Sequence, residues 1–285
     1  MARPRLTENE FNYWQLKKFF DKRIYRVLIF SDPHGWLADQ SILRCINKIL
    51  QHHNFDEVMI AGDLMDLPYI SRHEKKLYEE GILSGYTEAG EIDYTKEQIL
   101  KPLRASVSND TIIRFIPGNH DERITKPHLN SKGQLARLHV LYKNCGGTTE
   151  YDKLLDFDGF GVSWDKKDVW EYFEKFTVVH GLSLAKNAPE KNVQEYMGSG
   201  ASGHTHRLQN KYVTNRKNPY VWFETGCTRV RTEVEYFPTG RIPDWQNGFV
   251  TIDFYDNGDD VYFFGQCHPV VDGITSYNGV IYYGK

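Results

Sequence analysis

Short apolar runs, each stopping at Gly, Asp, Asn or His, punctuate the first two-thirds of the chain. Tyr25-Arg26-Val27-Leu28-Ile29-Phe30 stops at Ser31-Asp32-Pro33-His34-Gly35, and Glu57-Val58-Met59-Ile60-Ala61 stops at Gly62-Asp63. Thr111-Ile112-Ile113-Arg114-Phe115-Ile116 stops at Pro117-Gly118-Asn119-His120-Asp121, and Phe176-Thr177-Val178-Val179 stops at His180-Gly181. Such runs predict buried strands that feed turns. Between them the period becomes helical. Residues 40–53 place Ile42, Cys45, Ile46, Ile49 and Leu50 on one side, which predicts an amphipathic helix. Residues 68–110 are charged and mostly helical in pattern, broken by Gly81, Gly85 and Gly90. Over 8–23, Phe11, Trp14, Phe19 and Phe20 recur at roughly helical spacing among Lys17, Lys18, Lys22 and Arg23. A short amphipathic helix packed on the body is expected there, with a basic nucleic-acid arm as the weaker reading. From about Tyr212 the chain is rich in β-branched and aromatic residues, as in Val221-Trp222-Phe223 and Phe249-Val250-Thr251-Ile252-Asp253-Phe254. Strand–helix alternation with a strand-rich end predicts an α/β fold of stacked mixed sheets flanked by helices. No segment reads as a linker, so residues 1–285 are expected to form a single domain.

Composition narrows the function classes. The chain has 285 residues, 40% of them hydrophobic, enough for a real core. The net charge of −3 provides no global basic field, so coating of nucleic acid by bulk charge is not expected, although a local basic groove stays open. No apolar run reaches the ~18 residues of a membrane span, and the N-terminus does not read as a secretory signal, so no membrane partner is expected. Cys45, Cys145, Cys227 and Cys267 are scattered and form no CxxC pair. Reduced thiols in the cytoplasm are the expectation.

The polar residues of interest all sit just after predicted strands: Asp32 and His34, then Asp63, then Asn119 and His120, then His180. His204 and His206 follow a small-residue stretch in Ser202-Gly203-His204-Thr205-His206. In open α/β sheets, sites gather at the carboxyl ends of strands. A DxH, a GD or a lone His alone reads as an Asx turn or a core histidine, HxH also as a surface pair, and GNHD as a tight turn that leaves His beside Asp unexplained. The ordered set is far more specific. If His204 and His206 lie in a strand, both rings face one side, as a metal would require.

The order DxH, GDxxD, GNHD, HG, GHxH resembles the calcineurin-like metallophosphoesterases. Here it reads Asp32-Pro33-His34, Gly62-Asp63-Leu64-Met65-Asp66, Gly118-Asn119-His120-Asp121, His180-Gly181 and Gly203-His204-Thr205-His206. Glu122-Arg123 and the stretch Arg241–Phe249 are similar to the members encoded by bacteriophages. The resemblance implies a four-layer α-β-β-α sandwich of two mixed sheets and a site for two divalent metal ions. Asp32, His34 and His206 would hold the first ion, Asn119, His180 and His204 the second, and Asp63 would bridge them. Carboxylate with imidazole and no thiolate suits Mn²⁺, the expected ion, or Fe, Zn²⁺ or Mg²⁺. The reaction implied is in-line attack on a phosphate ester by a water bridging the metals. His120 would be the catalytic histidine that protonates the leaving oxygen, with Asp121 orienting it. Asp66 has a structural role in the family.

One departure shapes the substrate expectation. Protein phosphatases of this family carry Arg-Gly where this chain has Leu67-Pro68. A phosphodiesterase or nuclease acting on nucleic acid, DNA or RNA, or on nucleotides is therefore preferred over a phosphomonoesterase. Arg72, Arg123 and Arg207 are candidate phosphate-binding replacements, each equally readable as a surface arginine. Trp36 is a candidate for stacking a base at the cleft rim or for loop packing, while Trp222 and Trp245 are expected in the core. A non-catalytic scaffold would have lost ligands or His120, and a mononuclear hydrolase would need fewer ligands. The expected location is the cytoplasm of a bacterial or phage-infected cell.

Overall fold

The computed structural model describes residues 24–70, 87–125, 139–216, 218–231 and 243–285. The helix expected over 8–23, and Arg72, Gly81 and Gly85, lie outside the described residues.

Strands β1 (Ile24–Phe30), β2 (Glu57–Ala61), β3 (Ile112–Ile116) and β4 (Val162–Ser163) run parallel. Antiparallel β10 (Gly248–Asp256) and β11 (Val261–Pro269) complete a sheet of order β11-β10-β1-β2-β3-β4. The second sheet contains β5 (Val169–Tyr172), β6 (Phe176–Val179), β7 (Ser199–Ser202), β8 (Leu208–Thr214) and β9 (Pro219–Thr225), in order β5-β6-β7-β9-β8. The chain ends in a hairpin of β12 (Ile274–Tyr277) and β13 (Val280–Tyr283).

The continuous apolar runs are explained by burial on both faces of the strands. Val27 and Ile29 of β1 join Met59, Val178, Ala201, Phe223 and Ile252 in a core between the sheets. Leu28 and Phe30 point the other way, against helix α1 (Gln40–His52) and helix α2 (Glu88–Thr95). Asp39 caps α1 by accepting from the Ser41 amide at 2.9 Å. Beyond α2, a wider-wound segment, Lys96–Leu100, leads into α3 (Lys101–Ala105), and Gly90 sits inside α2 where a break was expected. On the outer face of the second sheet, α4 (Ala188–Tyr196) packs on Trp222. The layers are α-β-β-α, as the motif order implied, and Trp222 is a core residue as expected. All four cysteines are free thiols. Among the described residues no helix is long and apolar enough to cross a membrane.

Between the sheets, Glu57 is fully buried. It accepts from Tyr25 Oη (2.7 Å), Tyr172 Oη (2.6 Å) and Arg114 Nε (2.8 Å). The Arg114 guanidinium lies over Trp170, 3.5 Å from the ring centroid. Removing one partner of such a pair strands a buried charge. Arg114→Ala is expected to destabilise the fold by about 3–5 kcal/mol in urea unfolding. The folded fraction should keep its specific activity, because the network sits at the start of β2, the opposite end from the site described next.

Candidate metal centre

The parallel strands bring their carboxyl ends together at one edge of the sandwich. Phe30 pairs in register with Ile60, and Ala61 with Ile116, so the turns after β1, β2 and β3 emerge side by side. Val179 and Ser202 align in the same way, which sets the loops after β6 and β7 opposite those turns. Asp32, His34, Asp63, Asn119, His120, His180, His204 and His206 thereby converge from five loops. Arg207 and Trp36 sit at the periphery, while Arg123 Nη2 stands 3.3 Å from His120 Nε2.

The turns are tight. Asp32, His34, Asp63, His204 and His206 all have φ between 50° and 68°, in the left-handed region that non-glycine residues seldom occupy. Backbone hydrogen bonds hold them there: Asp32 N–H donates to Gly62 O and His34 N–H to Asp63 O, both at 3.0 Å. His204 and His206 therefore lie in a turn after β7 and not in a strand. Their convergence comes from two left-handed residues flanking Thr205. Gly118 is required by close approach, since a Cβ there would stand 2.2 Å from Asp63 Oδ1.

Two groups of ligand atoms share Asp63. On one side His206 Nε2 is 3.1 Å from Asp32 Oδ1 and 3.3 Å from His34 Nε2. On the other, His180 Nε2 is 3.1 Å from Asn119 Oδ1 and 3.3 Å from Asp63 Oδ2, with His204 within ligand reach of both His180 and Asp63. Asp63 Oδ1 accepts from the His120 amide at 2.8 Å, and Oδ2 faces both groups.

The donor set fits divalent cations. His34 Nδ1–H donates to Asp66 Oδ1 at 2.7 Å, and His180 Nδ1–H donates to Ala61 O at 2.9 Å. Each ring therefore turns the lone pair of Nε2 into the cluster, where it meets other acceptors. Acceptors converging on one another at such distances are what a shared cation satisfies, and the outward hydrogen bonds are those that orient metal-ligating histidines. Charge in the cluster pulls the same way for Asp32, Asp63 and His34. Burial would raise the Asp32 pKa, but His206 outweighs it and holds the group at about 2. Burial would also raise Asp63, and His180 and His120 hold it well below the ordinary carboxylate range. Burial lowers His34 to about 3, helped by the Arg229 charge. His180 runs the other way: Asp63 overcomes the effect of burial and raises it to about 10, so a cation would have to displace its Nε2 proton.

Asp66 is the residue that the sequence reading undervalued. Its Oδ1 accepts from His34 and also lies 3.1 Å from His120 Nδ1, while its carbonyl accepts from His120 Nδ1–H at 2.9 Å. One carboxylate thus fixes a candidate ligand and the candidate acid together. Its place three residues after Asp63 in GDxxD was the available signal. Asp121 has other partners. It accepts from the amides of Gly118 (2.8 Å), Leu64 (3.3 Å) and Met65 (3.2 Å) and from the Tyr151 hydroxyl, so it fastens the β2 and β3 turns and does not hold the His120 ring. Burial, then Asp63, raises its pKa to about 6.

The arginine and tryptophan candidates have partners of their own. Arg123 Nη1 donates to Asp66 O (2.5 Å) and Leu67 O (3.1 Å). Arg207 donates to Leu184 O, Ala185 O and Asp244, bracing two loops at the rim. Trp36 packs on Gly90 of α2, the loop-packing alternative. Trp245, expected in the core, is half-buried with its ring centroid 4.3 Å from that of His206.

The chain is similar to known proteins. The family model described as calcineurin-like phosphoesterase matches residues 25–268. The Gene 54 protein of Mycobacterium phage L5 is 27% identical over 273 residues, covering 90% of this chain and 98% of the relative. The Gene 54 protein of Mycobacterium phage D29 is 26% identical over 253 residues, covering 80% and 89%. Among solved structures, a dimetal phosphatase from Danio rerio shares 10% identity at a TM-score of 0.41, covering 86% of this chain and 97% of that one. The family match runs from β1 into β11, through every loop that contributes to the cluster. The chain therefore belongs to the calcineurin-like phosphoesterases, hydrolases of phosphate esters that use divalent metal ions.

Proposed function

We propose that this metal-dependent phosphoesterase cleaves phosphodiesters, in nucleic acid or nucleotides. Asp32, His34 and His206 hold one cation, Asn119, His180 and His204 a second, and Asp63 touches both; manganese is the cation we expect. When bound, the cations supply Lewis acidity toward the phosphoryl oxygens and a nucleophile from water. Asp66 holds His120 by Nδ1, so that Nε2 is the nitrogen that delivers a proton to the leaving oxygen. Asn119 beside it is more exposed than the other proposed ligands, which supports an approach of substrate on the Asn119–His120 side. Residues 1–285 act as one catalytic unit, and the free thiols suit the cytoplasm of a bacterial or phage-infected cell.

The observation that carries the substrate class is the engagement of the nearby guanidinium groups. Leu67 and Pro68 stand where protein phosphatases of the family have Arg-Gly, Arg123 Nη1 and Arg207 direct their donors to carbonyls and Asp244, and Arg123 Nη2 is engaged 3.3 Å from His120 Nε2. A dianionic monoester needs more cationic help than a singly charged diester.

With Mn²⁺, kcat/KM for bis-p-nitrophenyl phosphate should exceed that for p-nitrophenyl phosphate. Single- or double-stranded DNA or RNA should be cut at low salt, less so as salt rises. A monoester preference with no cleavage of any polynucleotide would reject the substrate class and leave the metal hydrolase standing.

A further inference from the structure

We propose that Glu91, on α2 and distant in sequence from every motif, is the positioning residue for the proton donor, acting through the Asp66 loop. The inference rests on the role given above to His120.

Glu91 is buried, and both of its oxygens face the loop after β2. Oε1 accepts from the Asp66 amide at 2.6 Å, and Oε2 accepts from the Leu67 amide at 3.1 Å. These two amides fix the stretch whose carbonyl and carboxylate hold His120 Nδ1 and whose carboxylate holds His34 Nδ1. Leu67 has φ of 51°, a conformation that needs outside support. The same carboxylate lies against Gly35, where φ is +53° and a Cβ would stand 2.2 Å from Oε1. Only glycine leaves room there for Glu91 to reach the loop. Trp36 packs on the preceding helical position, Gly90. The chain of contact runs from helix to carboxylate, to loop amides, to Asp66, to the imidazole.

A carboxylate accepts from both amides, whereas a glutamine would turn one N–H donor toward another. Glu91→Gln should therefore loosen the loop without removing a metal ligand. Its metal content should equal wild type. Turnover of the phenyl ester of thymidine 5′-phosphate, a poor leaving group, should fall ~10-fold, the lower end for an outer hydrogen-bond partner. The p-nitrophenyl ester, which needs little protonation, should lose less than ~3-fold by the same reasoning. In a His120→Asn background the extra loss that Glu91→Gln causes on the phenyl ester should disappear, because the cycle removes the group through which it acts on proton delivery. In metal-free protein, the imidazole N–H proton resonance that disappears in His120→Asn should shift or broaden in Glu91→Gln. If Glu91→Gln does not fold, Glu91→Asp, which keeps the charge and shortens the reach, takes its place in every comparison. Equal losses on both esters, additive losses in the double variant or an unmoved resonance would overturn the inference. A His120→Asn variant with wild-type turnover would instead sink the assignment of His120, and the resonance would still decide whether Glu91 positions its ring.

Discussion

Replacing His120 by Asn is expected to lower turnover by a factor of roughly 10²–10⁴, the usual worth of a positioned acid or base, while the metal content stays at the wild-type level. The ring is tied at Nδ1 to the carbonyl and carboxylate of Asp66. Its other nitrogen, Nε2, stands 3.3 Å from Arg123 Nη2 and 3.9 Å from Asp63 Oδ2, whereas the candidate ligand nitrogens of His180 and His206 approach their carboxylates to 3.3 and 3.1 Å and that of His34 stands 3.8 Å from Asp63. His120 nonetheless lies within ligand reach of His34 and Asp63, so metal content is the readout that separates acid from ligand. Elemental analysis and rates on p-nitrophenyl and phenyl esters decide it together. Retained metals with the larger loss on the phenyl ester identify an acid. Departing metals, with equal losses on both esters, identify a ligand.

The layered fold was legible because β1, β2, β3 and β6 are buried on both faces, and that burial leaves uninterrupted apolar runs in the sequence. The candidate site was legible because all five loops carrying it directly follow strands, where a motif keeps its spacing. Strand β7 was read only as a small-residue stretch. It is Ser-Gly-Ala-Ser, and its apolar contact comes from Trp222, whose indole nitrogen donates to Ser202 Oγ at 3.0 Å. No local pattern announces a strand whose bulk belongs to its neighbour. Strands β4 and β5 are two and four residues long, too short for periodicity to register. The hydrogen-bond partners were less legible than the ligands. Asp121, adjacent to His120 in sequence, looked like the orienting carboxylate, but successive residues of this turn point apart and Asp66 reaches the ring across 54 residues of sequence. Arg123 and Arg207 looked available for phosphate because sequence shows a charge and not the carbonyls that occupy it. Glu91 left no signal at all, since its partners are backbone amides.

Asp63→Asn is expected to be the most damaging single ligand change. Oδ1 accepts the His120 amide, and Oδ2 faces both His34 and His180. An asparagine keeps the shape, loses the charge that both groups share and turns a donor nitrogen toward one of them. The loss of metal affinity should exceed the 10–100-fold typical of outer hydrogen-bond partners. Turnover should fall with it, because the nucleophile and the phosphoryl polarisation depend on the same ions. The decisive measurement is elemental analysis of wild type and Asp63→Asn after saturation with Mn²⁺ and removal of excess metal, with hydrolysis of bis-p-nitrophenyl phosphate followed on the same samples. Two manganese ions per chain in wild type, at most one in the variant, and activity that tracks the second ion are predicted. Full wild-type activity with one metal per chain or none would contradict the dinuclear site.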